Sequence, residues 1–200
     1  MRHCKFAGRM FIYAVVTLLS ACVVGPSYQE FWGGERVYQP GVSFELPAGK
    51  SWVALIRTTY QAAIGTRDMP PNETLIVATS VYDLPGYANK EEFLQAVKQG
   101  RAAEPATGRF EKISLVERLY DARPETCVFH QSASNDYGVE AKRGGQYTVY
   151  ETFGMNCMHP DYPAVGILVE LSRKAPPGTT FPEFETMGSF LLQSVQFGEF

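Results

Sequence analysis

No apolar run in this chain is long enough to cross a bilayer. A spanning helix needs about 20 apolar residues. The longest run, Met10–Leu19 (MFIYAVVTLL), has half of that. A basic excess is also missing: 18 Lys and Arg stand against 21 Asp and Glu, a formal charge of −3. Without a basic stretch to follow a phosphate backbone, nucleic acid is not an expected partner. Histidine is scarce, at three residues, and Gly-x-Ser-x-Gly, His-Glu-x-x-His and Cys-x-x-Cys are all absent. The common hydrolase, zinc-protease and redox signatures are therefore missing. Gly49-Lys50-Ser51 looks like the end of a phosphate-binding loop, but Phe44 stands where that pattern needs its first glycine. There is no internal repeat and no low-complexity segment. These patterns assign no catalytic residue, no metal and no cofactor.

The N-terminus does carry a signal. Arg2, Lys5 and Arg9 precede the apolar run, and small residues follow it. This is the layout of a secretory signal peptide. The run ends in Leu19-Ser20-Ala21-Cys22. Those four residues resemble the lipobox of bacterial lipoprotein precursors: Leu, a small residue, Gly or Ala, then Cys. The resemblance implies a diacylglyceryl group on the Cys22 sulfur, cleavage between Ala21 and Cys22, and acylation of the new amino group. Several chains hold where one gives only marginal binding, since burial contributes about 0.8 kcal/mol per CH₂. The next residue is Val23, not the Asp that marks inner-membrane retention. In a Gram-negative cell this implies the outer membrane, facing the periplasm.

Cleavage divides the chain into a signal peptide, 1–21, a lipid-anchored tether, 22–41, and one globular domain, 42–200. The 18 basic residues lose Arg2, Lys5 and Arg9, leaving 15 against 21 acidic, a balance of −6. A domain of that charge gains nothing electrostatically from anionic lipid, so the membrane is a partner through the anchor. The tether includes the aromatics Tyr28, Phe31, Trp32 and Tyr38 and is expected to end in an edge strand around Arg36–Tyr38. They read either as core and linker residues or as a contact surface.

Cysteine use follows the same division. Cys4 leaves with the signal, Cys22 takes lipid, and Cys127 and Cys157 remain in a compartment that permits disulfides. Paired positions in an antiparallel hairpin keep a constant sum. A turn centred on residue 142, within the turn-rich Lys142-Arg143-Gly144-Gly145, puts these two opposite each other. A Cys127–Cys157 disulfide is therefore expected.

Alternation gives strands at Val42–Leu46, Trp52–Tyr60 and Thr74–Tyr82. Residues 61–72 read as loop. A helix starts at Asn89, an N-cap with Glu92 three residues on, and buries Phe93, Ala96 and Val97. Ile113–Tyr120 reads as strand, with some helical character. A meander follows at 126–134, 146–158 and 165–173. Thr180 and Glu183 make a capping box for a second helix, with Pro182 in its first turn. The class is α+β: an antiparallel sheet with a three-strand C-terminal meander packed by two helices. Phe44-Glu45-Leu46-Pro47-Ala48-Gly49, Trp52, and Phe190 through Ser194-Val195-Gln196-Phe197 resemble the Mog1/PsbP-like α/β/α sandwich. That family consists mainly of binding and assembly factors, and the resemblance implies no catalytic residue.

Three functions stay open at this point. The first is a non-enzymatic envelope lipoprotein that binds or helps assemble an envelope protein partner. The second is an envelope hydrolase built from dispersed residues, drawn from the polar set His130, His159 and Asp161 with Asp136. The third is a carrier of a small apolar ligand held between sheet and helix.

Overall fold

The structure, a computed structural model, describes residues 28–102, 108–138 and 146–200. The lipobox, Cys4 and Cys22 lie outside the described residues, as does the Lys142–Gly145 turn.

Eleven strands and two helices are described. In chain order they are β1 (Glu30–Trp32), β2 (Arg36–Gln39), β3 (Val42–Glu45), β4 (Ser51–Arg57), β5 (Gln61–Thr66), β6 (Thr74–Asp83), α1 (Lys90–Ala102), β7 (Phe110–Leu119), β8 (Cys127–Asp136), β9 (Thr148–Met158), β10 (Val165–Ala175), α2 (Phe184–Ser194) and β11 (Gln196–Phe197). Eight strands form one sheet in the order β1-β4-β5-β6-β10-β9-β8-β7, and β11-β3-β2 form a small second sheet. Every pairing is antiparallel. This is the expected α+β class, with the meander β8-β9-β10 lying between β6 and the edge strand β7.

Period-2 alternation sorts the large sheet into two faces. Odd-numbered residues of the meander, such as Phe129, Phe153, Met155, Ile167, Val169 and Leu171, are buried in the main core. Over them lie α2 and the small sheet. Gly188 makes that approach close: a Cβ there would sit 2.4 Å from the Phe153 ring. Even-numbered residues face the other way, toward α1. Asn89 caps α1 as expected, its Oδ1 accepting from Glu92 N–H at 2.9 Å, and Phe93 is fully buried.

Residues of the Mog1/PsbP-like pattern meet at the joint between α2 and the small sheet. Ser194 Oγ accepts from Glu45 N–H (2.9 Å) and donates to Leu191 C=O (2.7 Å). Trp52 is fully buried, and its Nε1–H donates to Pro47 C=O at 3.1 Å.

Three local expectations change. The folded part begins before residue 42, because Phe31 of β1 and Val37 of β2 are buried in the core at 6% and 1% exposure. Residues 61–66, expected as loop, form β5 between β4 and β6. The Thr180–Glu183 capping box does not form. Glu183 occupies the N-cap position without a side-chain cap, and α2 starts at Phe184. Upstream, Phe181 packs under the Arg173 guanidinium, 5.3 Å from its ring centre, and its C=O accepts from Phe184 N–H. That packing holds 180–183 as a turn.

Candidate functional site

The densest polar cluster lies on the α1 side of the sheet. His130 pairs with Gly154 across β8 and β9, and Gly154 pairs with Glu170 across β9 and β10. These three form one row over three strands. Gly154 has no side chain, so His130 reaches over it, and its Nε2 lies 2.8 Å from Glu170 Oε2. A Cβ at Gly154 would stand 2.6 Å from that same nitrogen. On the far side, Glu117 of β7 pairs with His130. Arg101, in the last turn of α1, spans the two carboxylates, with Nε 3.3 Å from Glu117 Oε1 and Nη1 4.0 Å from Glu170 Oε2. The Glu117 contact is an ion pair without hydrogen-bond alignment.

The same device recurs one strand over. Tyr82 of β6 pairs with Gly166 of β10, crosses it, and donates its O–H to Asn156 Oδ1 on β9 at 3.0 Å. Asn156 Nδ2 lies 3.5 Å from His130 Nδ1. Tyr82, Asn156, His130 and Glu170 thus form one chain of polar contacts, with the donor and acceptor roles of the His130 nitrogens set by its tautomer. Burial, with the neighbouring Tyr87, pushes the Tyr82 hydroxyl up to about 12. A cavity of about 280 Å³ beside the relay is lined by Tyr82, Asn156 and Arg101 along with Tyr87, Phe93 and Leu168. Through Arg101 the relay pins the last turn of α1 over the sheet.

His159 and Asp161 lie elsewhere, toward the small sheet. His159 is 1% exposed. Its Nε2 is 3.2 Å from Gly41 C=O and 3.0 Å from Gly198 C=O, and its Nδ1 accepts from the backbone N–H groups of Asp161 and Tyr162. Both ring nitrogens are thus occupied by backbone, and Asp161 meets His159 through its N–H. The ring stacks among Tyr162, Phe197 and Phe200. His130 is therefore not gathered with His159 and Asp161. Cys157, two residues before His159, is disulfide-bonded to Cys127 at its paired position, as expected.

Asp136 is also committed. Arg109 grips it through two nitrogens (2.8 and 3.0 Å), Lys174 Nζ lies at 2.8 Å, and Gly138 N–H donates at 2.9 Å. The Arg109 hydrogen bonds, helped by Lys174 and the Gly138 N–H, hold its carboxyl well below the usual carboxylate range against the opposing effect of burial.

A second concavity lies on the opposite layer. About 460 Å³ opens between the Pro47–Lys50 turn and α2, lined by Phe181, Met187 and Phe190 among others. Sequence reasoning found neither this groove nor the relay.

No family model and no curated protein matches the chain. Solved structures similar to it include the following two. One is a protein of Bacteroides thetaiotaomicron VPI-5482, at TM-score 0.44 and 12% identity over 83% of this chain. The chain spans about half, 49%, of that protein's length. The other is the Ran-binding protein Mog1p of Saccharomyces cerevisiae, at TM-score 0.44 and 9% identity, covering 86% of this chain and 96% of Mog1p. Neither carries a residue or an activity over to this chain.

Proposed function

We propose that this chain is a lipid-anchored cell-envelope protein that binds or helps assemble another envelope component, without catalysis of its own. In a Gram-negative cell its place is the outer membrane, facing the periplasm. Edge strand β7 supports this reading best. It is ten residues long, and among the described residues its one strand neighbour is β8. Phe110, Ile113 and Val116 on it are 44%, 56% and 47% exposed. A long edge of this kind offers backbone N–H and C=O groups to an added strand, with apolar side chains for a partner to cover. Glu111, Lys112 and Arg118 on the same strand oppose indiscriminate self-pairing.

The internal commitments of His130, His159 and Asp136 favour this reading over the hydrolase, since each is engaged within the fold. The test is a photoreactive residue in place of Ile113, in the full chain in intact cells, with Glu91 on α1 as the control position. The reading expects a discrete protein adduct from position 113 and none from position 91. Position 113 giving no adduct above background overturns it.

The groove against α2 favours a second reading, a carrier of a small apolar ligand. Native mass spectrometry checks it. A co-purifying ligand lost on Phe190→Asp supports the carrier, and a bare mass rejects it.

A further inference from the structure

Among the described residues, the side of the large sheet that holds α1 is covered at one end only. α1 packs on β7 and β8, leaving the β1-β4-β5-β6 half of that side open. Alternation determines what it shows. Phe31 pairs with Trp52 and turns into the core, so Glu30 and Trp32 turn outward. Val53 of β4, Gly65 of β5 and Ile76 of β6 lie in register beside Glu30. Leu55 covers Gly65, where a Cβ would stand 2.9 Å from Leu55 Cδ1. Trp32 is 72% exposed, Tyr28 52% and Leu55 50%. Between the last two, a shallow hollow of about 340 Å³ is floored by Val53 and Ile76. Beside it Arg67 pairs with Glu30 at 2.9 Å, and Asp68, near Trp32, accepts from Ser51 N–H. The surface is therefore apolar and aromatic at Tyr28, Trp32 and Leu55, with a single uncancelled carboxylate at its rim.

We propose that this open sheet face rests on the bilayer interface. The inference depends on the lipid-anchor reading above. Residues 23–27 are all that separate Cys22 from Tyr28. Six steps of chain reach at most about 20 Å, so an acylated Cys22 keeps Tyr28, two residues before β1, within that distance of the lipid. The far edge, β7, lies seven strand spacings away, roughly 34 Å. The short tether also makes surface contact intramolecular, so a few side chains suffice to orient the domain without holding it there alone. Trp and Tyr suit that depth, with an apolar ring and a polar tip. The anchor supplies attachment and the face supplies orientation, with β7 at the opposite edge of the sheet from the docked strands.

The chain has two tryptophans, and Trp52 is fully buried, so Trp32 reports the contact. The experiment uses full-length lipidated protein reconstituted into phosphatidylethanolamine–phosphatidylglycerol vesicles containing brominated lipid. Flotation of the vesicles is measured alongside tryptophan emission. The expected result is that protein floats with vesicles and loses about a third or more of its emission, more with bromines near the headgroup than near the chain ends. Trp32→Phe should float equally and lose the quenching. Full flotation with unquenched emission overturns the docked face and leaves the anchor standing. Failure to float overturns the anchor, and the docked face with it.

Discussion

Cys127 and Cys157 stand at paired positions on β8 and β9, joined by a disulfide with both residues buried in the core. Their sequence separation is 30. On the chain-entropy model, closing a loop of that length constrains the unfolded chain by about 3–4 kcal/mol. The double variant Cys127→Ser/Cys157→Ser should lose a comparable amount in urea unfolding. Reducing agent should then destabilise the native protein and leave the variant unchanged.

His130 depends on the bare backbone of Gly154. Gly154→Ala forces the imidazole off Glu170, because its Cβ would stand 2.6 Å from Nε2 and 2.8 Å from Val169 C=O. The expected cost is about 1–3 kcal/mol, as for other overpacked sites. Gly86→Ala, with no atom near its added Cβ, should stay within about 0.5 kcal/mol of the parent. Equal effects from the two substitutions would contradict the relay.

Much of the fold could be read from the sequence, because the meander strands alternate strongly and turn-formers separate them. β5 could not. Its Gln61-Ala62-Ala63-Ile64-Gly65-Thr66 is built of small residues, and Leu55 from β4 supplies the bulk above Gly65. β1 has only three residues, too few for a period to show. The relay was hidden for a different reason. Tyr82, His130, Asn156 and Glu170 sit on four strands and meet only through sheet register, with two glycines clearing the way. The lone signal in the sequence was His130 itself, which gave no hint of Glu170. His159 and Asp161 were grouped by sequence proximity, but the turn between them engages His159 with backbone instead.

Asp136 should shape the acid limb of stability. Its folded pKa is lowered by Arg109, Lys174 and the Gly138 N–H. The folded state therefore binds fewer protons than the unfolded state below about pH 4, where a free Asp takes one up. Its contribution is present above that pH and is lost as pH falls toward the folded value. Asp136→Asn should flatten the decline in unfolding free energy below about pH 4. An unchanged acid limb would show that the clamp does not govern it.

Tyr82 acts at the opposite end of the scale. Its pKa is pushed up to about 12 by burial, against about 10 in the unfolded chain. Here the folded state keeps a proton that the unfolded state has lost. Stability is full below about pH 10 and falls as pH rises toward 12. Absorbance titration should show Tyr82 ionising late, along with Tyr137, whose hydroxyl donates to Glu111, and Tyr82→Phe should reduce the late phase by one tyrosine. A late phase undiminished in Tyr82→Phe would show that Tyr82 does not contribute to it.

In the proposed reading, an acylated Cys22 sets the compartment and the side of the sheet nearest the bilayer. The most direct test is the intact mass of the full-length chain recovered from the cell envelope of a bacterial host. The account predicts a chain beginning at residue 22, without residues 1–21, carrying acyl mass on Cys22 and two hydrogens fewer than its reduced form. A chain that keeps its first 21 residues, or one that begins elsewhere with no acyl group, contradicts it.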